Sequence, residues 1–143
     1  MKIKFKIVTP EKTVFEEEVD QATLPVTDGE VTIMPGHRSY IASLKPGGVM
    51  VKSGNKEIDL AVSGGFIEFH NNTLIVLADT AERAEEIDVT RAEEARKRAE
   101  ELKKEKVSMD DGEYARVAAL IEKEMNRIKV GGRHHAHRNI KID

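Results

Sequence analysis

The chain is 143 residues long, 39% of its residues are hydrophobic and 34% are charged, and its formal net charge is -3 at pH 7. This length is typical of one domain, or of one domain with an appendage. Acidic residues (26) outnumber lysine and arginine (23), so the composition lacks the basic excess of a dedicated nucleic-acid-binding protein. The absence of cysteine excludes disulfides, thiolate metal sites and a cysteine nucleophile, and it indicates a reducing compartment.

No apolar run approaches the roughly 18 to 20 residues that a membrane helix needs. The first residues, Met1 to Phe5, alternate in polarity and do not form the apolar centre of a signal peptide. We therefore expect no direct membrane insertion, and membrane association only through partners.

Short stretches in which apolar residues alternate with other residues fill the first part of the chain. The apolar members are Ile3, Phe5 and Ile7; Val31 and Ile33; Val49 and Val51; Ile58, Leu60 and Val62; and Leu74, Val76 and Ala78. A period of two places such residues on one face of a strand. Turn-forming sequences rich in Gly, Pro, Asn and Asp separate the stretches. The pattern predicts a β-sandwich or barrel of about ten short strands over residues 1–84.

The composition changes to Ala, Glu, Lys and Arg from Asp88 to about Lys129, where Gly112 is the one glycine. This is the composition of long helices. The predicted apolar stripes are Ala92, Ala95, Ala99 and Leu102 in a first helix, and Tyr114, Val117, Ala118, Ile121, Met125 and Ile128 in a second. A break at 107–112, with Ser108 or an aspartate as N-cap, predicts an antiparallel hairpin.

The predicted fold class is therefore α+β, with an all-β domain at 1–84 followed by a helical hairpin at 85–130. We expect Gly131 and Gly132 to end the hairpin and residues 131–143 to form a flexible tail. The alanine stripe buries little apolar area, and at about 25 cal/mol per Å² the hairpin should be only marginally stable alone. Such an element can exchange one docking surface for another at a cost of a few kcal/mol.

Four ungapped stretches carry a resemblance to a known family. They are residues 62–68 (VSGGFIE), 77–88 (LADTAERAEEID), 34–37 (MPGH) and 44–49 (LKPGGV). Along the chain they follow the family's order, and they resemble the epsilon subunit of bacterial F-type ATP synthase over residues 1 to about 130. The resemblance implies a non-catalytic subunit of the rotating central stalk, peripheral to the cytoplasmic face of the cell membrane. Its sandwich would hold the gamma subunit near the membrane c-ring, and its hairpin would extend into the alpha/beta catalytic head and inhibit ATP hydrolysis.

The family resemblance also implies ATP as a regulatory ligand, with or without Mg²⁺, and no catalytic cofactor. Residues 87–92 (IDVTRA) resemble the motif by which some members bind ATP on the folded hairpin. The implied ATP-binding residues are Glu82, Ile87, Asp88, Arg91, Ala92, Arg98, Lys123 and Arg127. Lys123 departs from the arginine of ATP-binding relatives, and a lysine lacks the bidentate fork of a guanidinium. The alternative is that Asp88 is a plain N-cap and that the arginines form a solvated helix face.

Arg116, Lys123 and Arg127 follow each other at intervals of seven and four residues, which places them along one side of the second helix. The resemblance implies that this basic stripe meets an acidic segment of the catalytic beta subunits. Lys123 and Arg127 cannot face ATP and the beta subunits at once, so the two contacts would compete. The alternative is a solvated face on which Glu122 and Glu124 lie beside the basic residues.

The sequence contains no catalytic signature: a P-loop is absent, and no serine lies in a G-x-S-x-G setting. We therefore predict that the chain is not itself an enzyme. His37, in a Pro-Gly loop, and His70, at an Asn-Asn turn, are interpreted as structural. His134, His135 and His137 lie in the tail outside the resemblance, and we predict no metal site there.

Two classes of function remain open. The chain could be a regulatory and structural rotor subunit, or a free-standing nucleotide sensor whose hairpin closes on ATP. Only a stalk subunit needs an exposed apolar patch for gamma and the c-ring, and Met34, Tyr40 and Ile41 are the candidates for it. We expect the first class.

Overall fold

The computed structural model describes residues 1–105 and 111–142, with side chains for residues 1–104 and 112–133. The chain divides into two compact units, Met1–Ala84 and Glu85–Asp143. In the parts that are described, no helix is long and apolar enough to span a membrane.

The first unit consists of strands joined by short turns. The strands are β1 (Ile3–Val8), β2 (Thr13–Val19), β3 (Gln21–Val26), β4 (Gly29–Ile33), β5 (Tyr40–Leu44), β6 (Gly47–Ser53), β7 (Lys56–Val62), β8 (Gly65–His70), β9 (Thr73–Ala78) and β10 (Ala81–Arg83). They form one ten-stranded sheet in the order β10-β7-β6-β3-β5-β8-β9-β1-β2, with β4 paired to β3. β1 and β9 run parallel, whereas the other pairs are antiparallel. This confirms the predicted β-sandwich or barrel of about ten strands.

The core of this unit is built from the alternating positions that the sequence indicated. All of the predicted inward residues are buried except Val31 and Ile58, which are half-buried and pack against the same core. Phe5 and Phe15 add an edge-to-face ring contact at 5.4 Å between centroids. A sheet that curls on itself buries one face of every strand, which is why a period of two predicts the core so well.

Two tight turns require special backbone conformations. Asn71 and Asn72, between β8 and β9, have φ angles of 49° and 56°, as a two-residue hairpin turn with positive φ demands. Gly65, at the start of β8, has a φ of +121°, and a Cβ there would lie 1.9 Å from the Leu77 carbonyl oxygen. Only glycine fits this position, because any side chain would collide with the neighbouring backbone.

The second unit contains helices α1 (Val89–Glu105) and α2 (Asp111–Ile142), and a 3-10 turn at Ala84–Glu86 precedes α1. The two helices pack against each other, as the hairpin prediction requires. The predicted turn at 107–112 lies mostly outside the described residues.

The prediction that Gly131 and Gly132 end the second helix is wrong, because α2 continues through both to Ile142. Gly131 is buried, and a Cβ there would lie 2.9 Å from Val89 Cγ2 and 3.0 Å from Ile87 Cγ2. The missing side chain thus allows α2 to approach the start of α1 closely. Here glycine serves helix packing rather than helix termination.

The packed face of the hairpin differs in part from the predicted stripes. Ala92, Ala99 and Val117 are buried as expected. Leu102, Tyr114 and Met125 are exposed, whereas Glu124, which the alternative interpretation placed on a solvated face, is buried. On α2 the buried residues Val117, Glu124 and Gly131 follow each other at intervals of seven. On α1 the buried alanines Ala92 and Ala99 are also seven residues apart, and we call them the alanine seam.

Candidate functional site

An exposed apolar patch lies on the outer face of the first unit. Phe66 of β8 and Leu77 of β9 are neighbours in the antiparallel register, and their exposed fractions are 61% and 54%. Ile41 of β5 is also exposed and is diagonal to Phe66, because Ser43 is the residue opposite Phe66. We call Ile41, Phe66 and Leu77 the outer patch.

The outer patch overlaps the predicted contact residues only in Ile41. Met34 is exposed in the loop before β5, whereas Tyr40 is half-buried against the core. Phe66 and Leu77 were missed by sequence reasoning. The available signal was β9, whose residues 74–78 (LIVLA) are apolar on both faces, although a solvated outer face should be polar.

The loop between β4 and β5 is held by specific polar and aromatic contacts. The Gly36 amide donates to Asn72 Oδ1 at 2.9 Å, and the His37 ring meets Tyr40 and Phe69 edge-on with centroids 5.9 and 5.8 Å away. His37 Nδ1 lies 2.7 Å from the Arg38 carbonyl oxygen. His37 therefore fixes the loop, in agreement with its structural interpretation.

His70 has a similar local role at the end of β8. Its Nδ1 lies 3.0 Å from Ser39 Oγ, so it links β8 to the loop that precedes β5. The two histidines and Asn72 therefore hold the loop around Met34 in a defined conformation.

Asp88 begins α1 as an N-cap. The Arg91 amide donates to Asp88 Oδ1 at 3.1 Å, and the Ala92 amide donates to the Asp88 carbonyl oxygen at 3.0 Å. Arg91 Nε also lies 3.5 Å from Asp88 Oδ2. The carboxylate thus satisfies a free amide of the first turn, which is the alternative interpretation given above for Asp88.

The other sequence-predicted residues of α1 divide into buried and exposed positions. Ile87 and Ala92 are buried, so they position the helix and are not on the surface. Arg91 and Arg98 are exposed and lie seven residues apart, on one side of α1. Two guanidinium groups in this arrangement can bind phosphate oxygens from a single side of the helix.

The basic residues of α2 do not share one environment. Arg116 is exposed, and Lys123 and Arg127 are half-buried. Arg127 Nη1 donates to Glu124 Oε2 at 2.8 Å. Near the other end of the hairpin, Lys103 Nζ lies 4.7 Å from the centre of the Tyr114 ring, a cation–π contact between the two helices.

Glu82 belongs to β10, in the first unit, where it pairs in register with Ala61 of β7. Among the described residues no group of three His, Cys, Asp or Glu side chains is arranged to hold a metal ion. The histidines of the tail, His134, His135 and His137, have no described side chains.

Two adjacent family matches cover nearly the whole chain. Residues 2–84 match the family described as "ATP synthase, Delta/Epsilon chain, beta-sandwich domain". Residues 85–132 match "ATP synthase, Delta/Epsilon chain, long alpha-helix domain". The chain belongs to the delta/epsilon chain family of ATP synthase. The resemblance inferred from residues 62–68 and 77–88 is thereby confirmed, and so is the fold class.

Curated bacterial relatives share this family over most of their length. The chain is 48% identical over 126 residues to the ATP synthase epsilon chain of Desulforamulus reducens, covering 88% of this chain and 94% of the relative. It is 43% identical over 136 residues to the ATP synthase epsilon chain of Dehalococcoides mccartyi strain BAV1, covering 95% and 96%.

Solved structures of ATP synthase complexes contain chains of the same fold. One belongs to the Euglena gracilis mitochondrial ATP synthase, OSCP/F1/c-ring in rotational state 1, with a TM-score of 0.74 at 22% identity over 87% of this chain and 78% of that one. Another belongs to the central stalk/c-ring of the Tetrahymena thermophila mitochondrial ATP synthase, with a TM-score of 0.62 at 18% identity over 92% and 97%. At these identities the likeness shows the fold alone.

Proposed function

We propose that this chain is the epsilon subunit of a bacterial ATP synthase, a non-catalytic part of the central stalk. The first unit docks onto the gamma subunit and the c-ring at the cytoplasmic face of the membrane. The second unit restrains ATP hydrolysis by reaching the alpha/beta catalytic head, and in its compact form it binds ATP.

The observation that carries the docking proposal is the outer patch. The first unit already buries a complete core, yet it leaves Phe66, Leu77 and Ile41 exposed as neighbours on one face. Apolar side chains that cluster on the surface of a folded domain are typical of a protein-binding surface. A free-standing nucleotide sensor has no need of such a patch, so this feature favours the rotor subunit.

A binding experiment with purified gamma subunit tests the docking proposal. Phe66→Asp should lower the affinity for gamma at least about tenfold, because an aspartate in an apolar contact must be buried without a partner. Asn55→Asp adds the same charge in the exposed turn between β6 and β7 and should bind like the parent. Equal affinity of all three proteins would show that gamma binds elsewhere.

The inhibitory role of the second unit is supported by its surface charges and its narrow seam. Arg116 is exposed and Lys123 is half-buried on α2, so both can meet an acidic surface of the beta subunits. The alanine seam of α1 gives the hairpin little apolar contact area. The two helices can therefore separate and pack against another surface at a small cost in free energy.

Hydrolysis by the reconstituted enzyme tests this role. Arg116→Gln combined with Lys123→Gln should raise the ATP hydrolysis rate and leave gamma binding unchanged. Arg127 is left intact in this variant, because its removal would leave the buried Glu124 without its charged partner. An unchanged hydrolysis rate would move the inhibitory contact to other residues.

Nucleotide binding is supported by the exposed guanidinium groups of α1. Arg91 and Arg98 lie on one side of the helix, and α2 contributes Lys123 and Arg127. The Asp88 carboxylate already accepts a hydrogen bond as the N-cap of α1, so it would have to accept a further one from the nucleotide at the same time. Calorimetric titration of the isolated chain with ATP, with and without Mg²⁺, should show saturable binding; its absence would favour the solvated-face interpretation.

A further inference from the structure

A charged pair on α2 is largely shielded from water. Among the described residues Glu124 is the only polar or charged residue in the buried class. Its carboxylate accepts a hydrogen bond from Arg127 Nη1 at 2.8 Å, and the side chains of Glu124 and Arg127 are only 6% and 21% exposed. Neither group was recognised as buried from the sequence.

Glu124 lies on a line of buried residues along α2. Val117, Glu124 and Gly131 follow each other at intervals of seven residues, and all three are buried. Gly131, on this line, lies against Val89 and Ile87 at the start of α1. Away from water, a hydrogen bond between two opposite charges is stronger than on the surface, so Arg127 is firmly held.

This arrangement distinguishes Arg127 from Arg91 and Arg98 of α1. Arg91 and Arg98 are exposed, so a polyphosphate can reach them by side-chain rotation. To bind the same ligand, Arg127 must give up its bond to Glu124 and leave a buried carboxylate without a charged partner. That penalty opposes every contact between Arg127 and a phosphate.

We propose that Glu124 masks Arg127 and thereby lowers the affinity of the compact hairpin for the polyphosphate of a nucleotide. This inference rests on the nucleotide binding proposed above. Glu124 acts through Arg127 and is a positioning residue that sets affinity; it does not contact the ligand. The same pairing keeps Arg127 unavailable to an acidic protein surface while the helices are packed together.

Titration of the full chain with ATP and with inorganic tripolyphosphate tests the masking. Glu124→Gln keeps the shape of the side chain and removes its charge, and it should raise the affinity for both ligands about tenfold. Tripolyphosphate is included because it reports phosphate contacts without the base. Glu124→Leu fills a similar space and should show the same gain, so the test does not depend on one variant being folded.

Two control variants separate masking from a general effect of charge. Glu122→Gln removes the same charge from an exposed position of α2 two residues away, and it should leave both affinities within about twofold of the parent. Glu124→Gln combined with Arg127→Gln should return the affinity to the parent value, because the guanidinium that Glu124 restrains is removed. Far-UV circular dichroism checks that each variant keeps its helices.

The outcomes distinguish this inference from the function on which it rests. A gain in the Glu124 variants that Arg127→Gln abolishes supports the masking, whether or not the parent itself binds ATP measurably. No gain in either Glu124 variant overturns the masking and gives the pair a purely structural role. Independently, the titration of the parent shows whether nucleotide binding stands.

Discussion

Asp88 is the residue at which a structural and a ligand-binding role can be separated. Its side chain caps α1 through the Arg91 amide at 3.1 Å, so loss of the cap should destabilise the helix by about 1 kcal/mol. If Asp88 also binds the nucleotide, Asp88→Ala should weaken ATP binding by roughly 1 to 3 kcal/mol beyond that effect. Asp88→Asn, which retains a capping oxygen, separates the two in a combined melting and titration experiment.

Arg91 provides the matching test for the phosphate contact. Its exposed side chain contributes nothing to the core, so Arg91→Ala should leave the thermal stability almost unchanged. The ATP affinity should fall by roughly 1 to 3 kcal/mol if the guanidinium binds phosphate. An unchanged calorimetric titration curve would show that residues 87–92 begin the helix and do not bind ATP.

Gly65 shows how strongly one residue can be required by the fold. A Cβ at this position would lie 1.9 Å from the Leu77 carbonyl oxygen, whereas Gly54, with a φ of +62°, has nothing within 4 Å. Gly65→Ala should therefore destabilise the first unit by several kcal/mol, and Gly54→Ala by only about 1 kcal/mol. Chemical denaturation of both variants measures this difference, and equal losses would contradict the close approach.

At the level of elements, the strands were predictable and the helix packing was predictable only in part. Each strand covers one core face, so alternation alone locates Phe5, Leu60 and Val76 in the interior. The outer patch was missed because the alternation of apolar residues identifies the buried face of a strand. It says little about which residues lie on the opposite face. Phe66 and Leu77 became visible only when the register placed them side by side.

The helical unit shows why residue type alone misleads at a packing contact. In the sequence, Gly131 predicts a helix end and Glu124 predicts a surface position, because glycine and glutamate usually occur there. Both are buried instead, and Gly131 lies against Val89 and Ile87 at the start of α1. Which side of α2 meets α1 depends on the partner helix, and the periodicity of α2 alone does not contain that information. The residues proposed to bind ATP were identified by family resemblance rather than by spacing.

The two neighbouring glycines of α2 allow a matched test of this packing. A Cβ on Gly131 would lie 2.9 Å from Val89 Cγ2, while Gly132 has open space around it. Gly132→Ala should stabilise the helix by about 1 kcal/mol through propensity alone. Gly131→Ala should gain nothing or lose stability, because Val89 or Ile87 must shift. Thermal melts followed at a helical wavelength compare the two, and equal stabilisation would contradict the close contact.

At the scale of the whole molecule, the two units differ in how much apolar core stabilises them. The first unit has a continuous core over ten strands, whereas the second rests largely on an alanine seam with an enclosed charge pair. A chain truncated after Glu86 should therefore unfold in one cooperative thermal transition and retain full affinity for gamma. The absence of a cooperative transition would contradict the independence of the first unit.

If ATP binds as proposed, it should affect the whole molecule by stabilising the compact hairpin. A ligand that binds only this form adds RT ln(1 + [L]/Kd), which is about 2.7 kcal/mol at a hundredfold excess over Kd. ATP should therefore raise the melting temperature of the helical signal in the isolated full chain and leave the truncated chain unaffected. An equal shift in both proteins would place the nucleotide on the first unit.

The most direct test of the account is the ATP hydrolysis rate of an ATP synthase reconstituted with either the full chain or the chain truncated after Glu86, at equal gamma occupancy. If the first unit docks and the second restrains, the enzyme with the truncated chain should hydrolyse ATP faster while its subunit composition is otherwise unchanged. Equal rates with the two chains would contradict an inhibitory role for the helical unit.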